Sequence, residues 1–291
     1  MGADSRISLV MPTFNRLAAL RNNFDSVRAV EGIEEIIVVV DGSTDGSAEW
    51  LEGLGDHRIT VIRQPQRGSP AARNVGIDAA RGDWILMTED DCFLPSEFAV
   101  TLLDVARARQ ADIVSAPWLP VYGGGDVDAA YEHARHSARA DIRLDTSPKV
   151  FPPEDLVTPF LNGNVLVRRT VFEVVRYDES VPGNAWREET SLFLSAVEHG
   201  FRCVLTPRTA SFQLGQWEGG QRGPMLAYEL SAIRNNWRFL RAHEATLKRL
   251  GEIDSATTAQ ARFILSRIWQ RVRGPVRARW RRLLSRRRSA A

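Results

Sequence analysis

The 291-residue chain is 44% hydrophobic and 25% charged, with a formal net charge of +2, a composition that excludes a disordered or fibrous protein. Its two cysteines, Cys92 and Cys203, give neither a disulfide framework nor a metal-ligand spacing, which points to a reducing compartment. Eleven arginines and no acid lie between Ser255 and Ala291, leaving 27 basic against 36 acidic residues before them, so an acidic body carries a basic end suited to a partner of its own.

Met1–Arg6 is polar, and the first apolar run is short and interrupted by Pro12. No stretch reaches the ~18 apolar residues of a membrane span. The expectation is a cytoplasmic protein without a secretory leader. Ile7–Met11 predicts a short buried strand, and Arg16–Val30 a helix with Leu17, Leu20, Phe24 and Val27 on one face. Glu35–Val40 is too β-branched for a helix. A helix follows at Ser47–Leu54, a strand at Ile59–Arg63, and a helix at Ser69–Ala80 with Pro70 in its first turn, where proline is tolerated. Trp84–Thr88 is a strand, Pro95–Ala108 a helix and Ile113–Ala116 a strand. This alternation implies an α/β fold with a mostly parallel sheet covered on both faces. Beyond it the pattern loosens. Gly123–Gly125 predicts a flexible loop, and residues 126–150 a charged stretch with some helix and a mobile loop. Strands are expected at Val165–Arg168 and Cys203–Leu205, and helices at Thr190–His199, Pro224–Leu250 and Thr257–Val272.

Ligands of open parallel sheets sit at the carboxyl ends of the strands. Polar residues gather there: Pro12-Thr13-Phe14-Asn15-Arg16 after the first strand, Asp41-Gly42-Ser43-Thr44-Asp45-Gly46 after the second, and Glu89-Asp90-Asp91 after WILMT. Asp41 and Asp91 are therefore expected to face one crevice. The spacing of Asp41, Ser43, Asp45, Gly46 and Glu52 imitates a calcium loop, but a β-branched strand stands where that motif needs a helix. No G-x-G-x-x-G follows the first strand, so a dinucleotide fingerprint is absent. Three adjacent carboxylates after a buried run repel one another and resist desolvation. A divalent cation, Mg²⁺ or Mn²⁺, relieves both penalties and would hold a diphosphate.

VMPTFNR, VVVDGSTDGS, GSPAARNVGI, ARGDWILMTEDDCFLP, NGNVLVRR and REETSLFLSAVEHGFR occur in this order over roughly residues 5–215. In these segments the chain resembles the family 2 glycosyltransferases of the GT-A fold. The resemblance implies a nucleotide-binding sheet flanked by helices, an acceptor-binding second half and C-terminal helices. We expect a domain over 1–222, divided into a nucleotide-sugar half (1–117) and an acceptor and catalytic half (118–222), followed by C-terminal helices with a basic amphipathic tail (223–291).

The resemblance also implies roles. Asp41 would bond the nucleotide base, Pro12, Thr13, Asn15 and Arg16 would line the nucleoside, and Arg73 would belong to the nucleotide site. Asp91 would ligate the metal and Asp90 reach ribose or metal, while Glu89, a glutamate where the family has aspartate, is either a ligand or a supporting group. Gly163 and Asn164 match the loop beside donor sugar and acceptor. Arg168 and Arg169 match a basic pair that faces phosphate or solvent. Glu189 aligns with the catalytic carboxylate, with Glu188 as the fallback base. Family members invert the anomeric centre, so Glu189 would deprotonate an acceptor hydroxyl as a nucleoside diphosphate leaves. Where many relatives carry a metal-site histidine, this chain has Gln213: either the metal has one ligand fewer or the alignment slips. His133, His136, His199 and His243 are expected on the surface.

The tail VRARWRRLLSRRR sets Val276, Trp280, Leu283 and Leu284 on one helical face among arginines. It suits contact with a membrane surface through residues 262–288, an anionic partner, or plain solvation. The expected partners are a nucleotide-diphospho-sugar, UDP- or dTDP-linked in preference to GDP, and a glycan or lipid-linked acceptor, with no nucleic acid and a location at the inner face of the membrane. The rivals are a sugar-nucleotide nucleotidyltransferase, which would want a basic glycine-rich loop in place of PTFNR, and a catalytically degenerate binding module.

Overall fold

The computed structural model describes residues 6–121, 126–139, 142–144, 151–213 and 225–269. The expected loop at Gly123–Gly125, the end of the 126–150 stretch and the tail residues Val276–Leu284 lie outside the described residues. The chain runs β1 (Ile7–Thr13), α1 (Leu17–Arg28), β2 (Ile33–Asp41), α2 (Ser47–Glu52), β3 (Ile59–Gln64), α3 (Ser69–Ala79), β4 (Trp84–Met87), β5 (Cys92–Phe93), α4 (Phe98–Arg109), β6 (Ile113–Ser115), β7 (Trp118–Pro120) and α5 (Val127–His136). There follow β8 (Leu156–Val157), β9 (Val165–Arg168), a 3₁₀ turn (Arg169–Glu173), α6 (Glu188–Glu198), β10 (Cys203–Leu205), β11 (Ser211–Gln213), α7 (Met225–Ala242) and α8 (Glu244–Arg249). A last helix, α9, covers 256–269.

Eight strands form the central sheet in the order β3-β2-β1-β4-β9-β6-β10-β8. The first four are mutually parallel, with β9 and β8 reversed. β2 reads IEEIIVVVD and is buried over its last six residues, as a strand covered on both faces must be. One core layer joins Val10, Val39, Ile85 and Phe193; the opposite layer joins Leu9, Val38, Leu86 and Phe98. The second half completes this sheet rather than standing apart, because β9 inserts between β4 and β6. Strands β5, β7 and β11 make a separate three-stranded sheet over the carboxyl end. These pieces of two or three residues carry no periodic signal in the sequence.

Two expectations change. The helical stretch over Pro224–Leu250 breaks at His243 into α7 and α8. His243 is buried rather than on the surface: its Nε2 lies 2.8 Å from Ser191 Oγ and its Nδ1 3.1 Å from Glu198. His133, His136 and His199 are exposed.

Candidate active site

The register of β1 pairs Thr13 with Val40 and Val10 with Met87. The carboxyl ends of β1, β2 and β4 therefore share one edge of the sheet. The loops leaving that edge are tied together. Asn15, with positive φ, receives a hydrogen bond from the Thr44 amide on its Oδ1 and donates its own amide to Ser43. Asp45 accepts from the Leu17 amide and starts both α1 and α2. Asn15 is thus a strut between the first two loops, while Pro12, Thr13 and Arg16 form the cavity wall.

This first cavity, of about 300 Å³, also reaches Asp41, Arg73 and the acid triplet. Asp41 is buried and accepts three hydrogen bonds, from Gln64 Nε2 (2.7 Å) and the amides of Arg67 and Gly68 (2.8 Å each). Its carboxylate shapes the loop over 64–68 as well as lining the cavity. Asp90 accepts from Thr13 Oγ1 at 2.8 Å, and Asp91 Oδ2 lies 3.3 Å from Arg16 Nη1 and 3.3 Å from Gln213 Nε2. Gln213 therefore stands beside the acid triplet, on β11.

α3 carries Arg73 into the floor of the site. The helix approaches the sheet closely because residue 76 is glycine: a Cβ there would sit 2.3 Å from Val10 Cγ1. Arg73 is buried, with Nη2 at 3.0 Å from Glu189 Oε1 and 3.3 Å from Glu89 Oε1, and Nε at 3.6 Å from Glu188 Oε1. Its guanidinium also lies 5.4 Å from the centre of the Tyr177 ring. One cation thus serves three carboxylates from two distant segments. Burial acts against its charge, but Tyr177, Glu189, Glu188 and Glu89 outweigh burial and hold it above the ordinary arginine range.

The acids are correspondingly perturbed. Burial pushes Glu89 up to about 8, with Glu189 and Asp91 adding to the effect and Arg73 opposing it. Burial pushes Glu188 up to about 7 against the pull of Arg73. Asp90 rises to about 6, again by burial, with Arg16 opposing. Such clusters are costly without a counter-charge and mark functional sites.

Glu89 and Glu188 line a second cavity, of about 440 Å³, on the far side of Arg73; Glu189, Gly163, Trp118 and Trp186 line it too. Glu188 and Glu189 occupy the first turn of α6, where the helix dipole favours negative charge. Positive φ at Ala185 and Arg187 turns the preceding loop so that Trp186 joins this wall. Gly163 touches Glu189: a Cβ there would lie 2.3 Å from Glu189 Oε1. Its neighbour Asn164 is fully buried beneath the site. Asn164 accepts from Thr88 Oγ1 and donates to Ser211 and Cys92, so it supports the triplet from below rather than lining a cavity. Arg168 leaves the site altogether, stacking over Trp84 at 4.6 Å and pairing with Asp112; Arg169 is exposed.

Trp118, Trp186 and Tyr177 are not among the site residues expected from the sequence. Lone aromatics in irregular segments give no signal until the fold gathers them. Ligand atoms of Glu89, Asp91 and Cys92 lie within 4.8 Å of one another. Two carboxylates suit a hard divalent cation that completes its shell with phosphate and water. Cys92 does not belong to such a set, since burial, with Glu89 and Asp91 beside it, holds its thiol protonated.

The chain spans 17–58% of the length of the first curated relatives it matches. The putative glycosyltransferase EpsH of Bacillus subtilis is 27% identical over 217 residues, 71% of this chain and 58% of the relative. Among solved structures, S. aureus TarS 1–349 in complex with UDP-GlcNAc superposes with a TM-score of 0.55 at 16% identity, covering 82% of this chain and 73% of that one. GalNAc-T7 with UDP, GalNAc and Mn²⁺ gives 0.61 at 18% identity, covering 83% and 48%. At these identities the structures speak for the GT-A fold alone. The model of the glycosyl transferase family 2 matches residues 8–176, more than half of the chain, and the chain belongs to that family.

Proposed function

We propose that the protein transfers a sugar from a nucleotide-diphospho-sugar, UDP- or dTDP-linked, to a hydroxyl of a glycan or lipid-linked acceptor in polysaccharide biosynthesis, with inversion at the anomeric carbon. The observation that carries this reading is the meeting of two cavities at Glu89, Asn184, Ala185 and Glu188, beside Arg73 in the wall of the first. The first cavity offers Pro12, Thr13, Arg16 and Asp41 to a nucleoside and the acid triplet to its diphosphate. The second offers two indoles and the α6 carboxylates to an acceptor. Residues 1–117 supply most of the first and 118–222 most of the second, with Tyr228 of α7 closing the first.

Asp91 is the proposed metal ligand, with Glu89 or Asp90 as the second carboxylate. The metal would neutralise the charge that builds on the departing diphosphate. Glu189 is the proposed base. Arg73 donates to its Oε1, fixing the carboxylate so that the other oxygen can accept the acceptor proton. Glu188 is the fallback base, because its Oε1 is already engaged by Ser69 and faces Arg73. Its role is to accept from Ser69 Oγ at 3.0 Å and to help hold Arg73. Three carboxylates beside the second cavity also disfavour a phosphate as nucleophile and favour a neutral hydroxyl. Positioning of the two substrates across Gly163 would supply much of the rate.

The test is a thermal-shift panel of UDP, dTDP, GDP and CDP, each with and without Mn²⁺, on the wild type and Asp91→Ala. A nucleotide at about 100 times its Kd should add about 2.7 kcal/mol of stability. One nucleotide is expected to stabilise the wild type only with metal, and Asp91→Ala to lose that shift. A flat panel would remove the donor-site reading and favour a binding module without nucleotide.

A further inference from the structure

Helices α7 and α9 lie side by side and run in opposite directions. Arg267 on α9 grips the Glu229 carboxylate on α7 with two bonds of 2.7 Å, and Gln260 donates to the Ile233 carbonyl at 2.9 Å while accepting from Asn236 at 2.8 Å. The start of α7 is thereby set against the last described turn of α9. Large apolar side chains crowd that end and point to solvent: Leu226 is 72% exposed and Leu230 58% on α7, with Leu265 at 64%, Ile268 at 54% and Trp269 at 61% on α9. Their spacings, i to i+4 on α7 and i, i+3, i+4 on α9, place each set on one face. Scattered exposed apolar residues are ordinary; five on one end of a helix pair are an interaction surface.

Charge identifies what it meets. No acidic residue follows Asp254, and all eleven arginines of the C-terminal region fall between 262 and 288. A second copy of the chain is a poor occupant, since a two-fold contact on this end would bring two arginine-rich segments together. We infer that this end of α7 and α9 is a folded lipid-binding face that seats the protein on an anionic phospholipid bilayer, its leucines, isoleucine and tryptophan entering the interface and the basic sequence that follows α9 selecting anionic headgroups. No helix among the described residues is long and apolar enough to cross a membrane.

The same helices also reach the site. Arg267 lies 5.1 Å from the centre of the Trp186 ring and 5.9 Å from that of Tyr228. Trp186 lines the acceptor-side cavity and Tyr228 the donor-side one. A bilayer on the outer face of the pair is therefore one helix away from both cavities, where an acceptor held in that bilayer would be presented. The lipid-binding inference does not rest on the donor reading, because its measurement needs no nucleotide.

The experiment is co-sedimentation of the full chain with vesicles of phosphatidylcholine alone and of equal parts phosphatidylcholine and phosphatidylglycerol. The wild type is expected to bind the anionic vesicles only. The double variant Leu265→Glu/Ile268→Glu, with every arginine intact, should lose at least about 10-fold in bound fraction. Leu226→Ser/Leu230→Ser, on the other helix, should weaken binding in the same direction, and thermal melting establishes that both variants fold. The inference is overturned if the wild type ignores anionic vesicles, if both folded variants bind as it does, or if the wild type is a dimer that these substitutions dissociate.

Discussion

Gly163→Ala tests whether the position of one carboxylate, rather than the mere presence of the acids, sets the reaction rate. A Cβ at 163 would stand 2.3 Å from Glu189 Oε1, 3.1 Å from Glu189 Cδ and 3.4 Å from Glu89 Oε1. Gly163 does not have a positive φ, so alanine costs the backbone little. What must give is the far end of a flexible side chain. Restoring ordinary contact requires Glu189 Oε1 to retreat by about 1 Å, which pulls it off Arg73 Nη2, now 3.0 Å away. A misplacement of that size costs about 10²-fold in rate, or about 2.7 kcal/mol in the barrier. The assay is release of nucleotide from the donor that the thermal-shift panel identifies, at saturating donor and metal, with Glu189→Gln as the reference for a lost base. We expect Gly163→Ala to melt within a few degrees of wild type, to keep its nucleotide shift, and to lose most of its turnover. Turnover within about threefold of wild type would refute the argument that Gly163 sets the carboxylate. So would parallel loss of turnover and nucleotide binding, which would indicate general damage.

Arg73→Met removes the one cation shared by Glu89, Glu188 and Glu189, and should destabilise by about 3 kcal/mol, a fall in Tm of roughly 6–12 °C. The fall should be larger at pH 8 than at pH 6, since ionised acids suffer most from the loss; a pH-independent fall would contradict it. In the wild type without ligands, Glu188 and Glu89 have folded-state values raised to about 7 and about 8. The folded protein therefore binds protons that the unfolded chain has released. Stability conferred by these two groups is present at low pH and falls as pH rises from about 4.5 to 8. Thermal melts from pH 5.5 to 8 should show Tm declining, and Glu188→Gln should flatten the lower part of that decline. A Tm that rises across this interval would contradict the assignment.

Much of the fold was legible in the chain. The β-branched run EIIVVV, the alternation of strands and helices up to Ile113 and the polar strand ends specify a parallel sheet, because burial on both faces and a period near 3.6 leave their mark on consecutive residues. The acid triplet after WILMT, the arginine of AARN and the glutamate pair opening α6 were likewise visible, since each sits in a contiguous motif. His243 was not, because a histidine buried by contacts with Ser191 and Glu198 has no local signature. The three-stranded sheet was invisible for the same reason: its pieces are two or three residues long and are stabilised by partners far away in sequence.

The chain by itself thus determined the parallel part of the sheet, the family and the residue types of the site. Only the tertiary structure decided how they are shared out. It set Asn15 and Asn164 behind the cavity walls, turned Arg168 away to Trp84, brought Gln213 to within 3.3 Å of Asp91, and made Arg73 the common counter-charge of three glutamates. The physical reason is range. Propensity and periodicity act over a few residues and are written along the chain, whereas charge compensation and packing act across a few ångströms between segments up to 122 positions apart, and exist only once the sheet has closed.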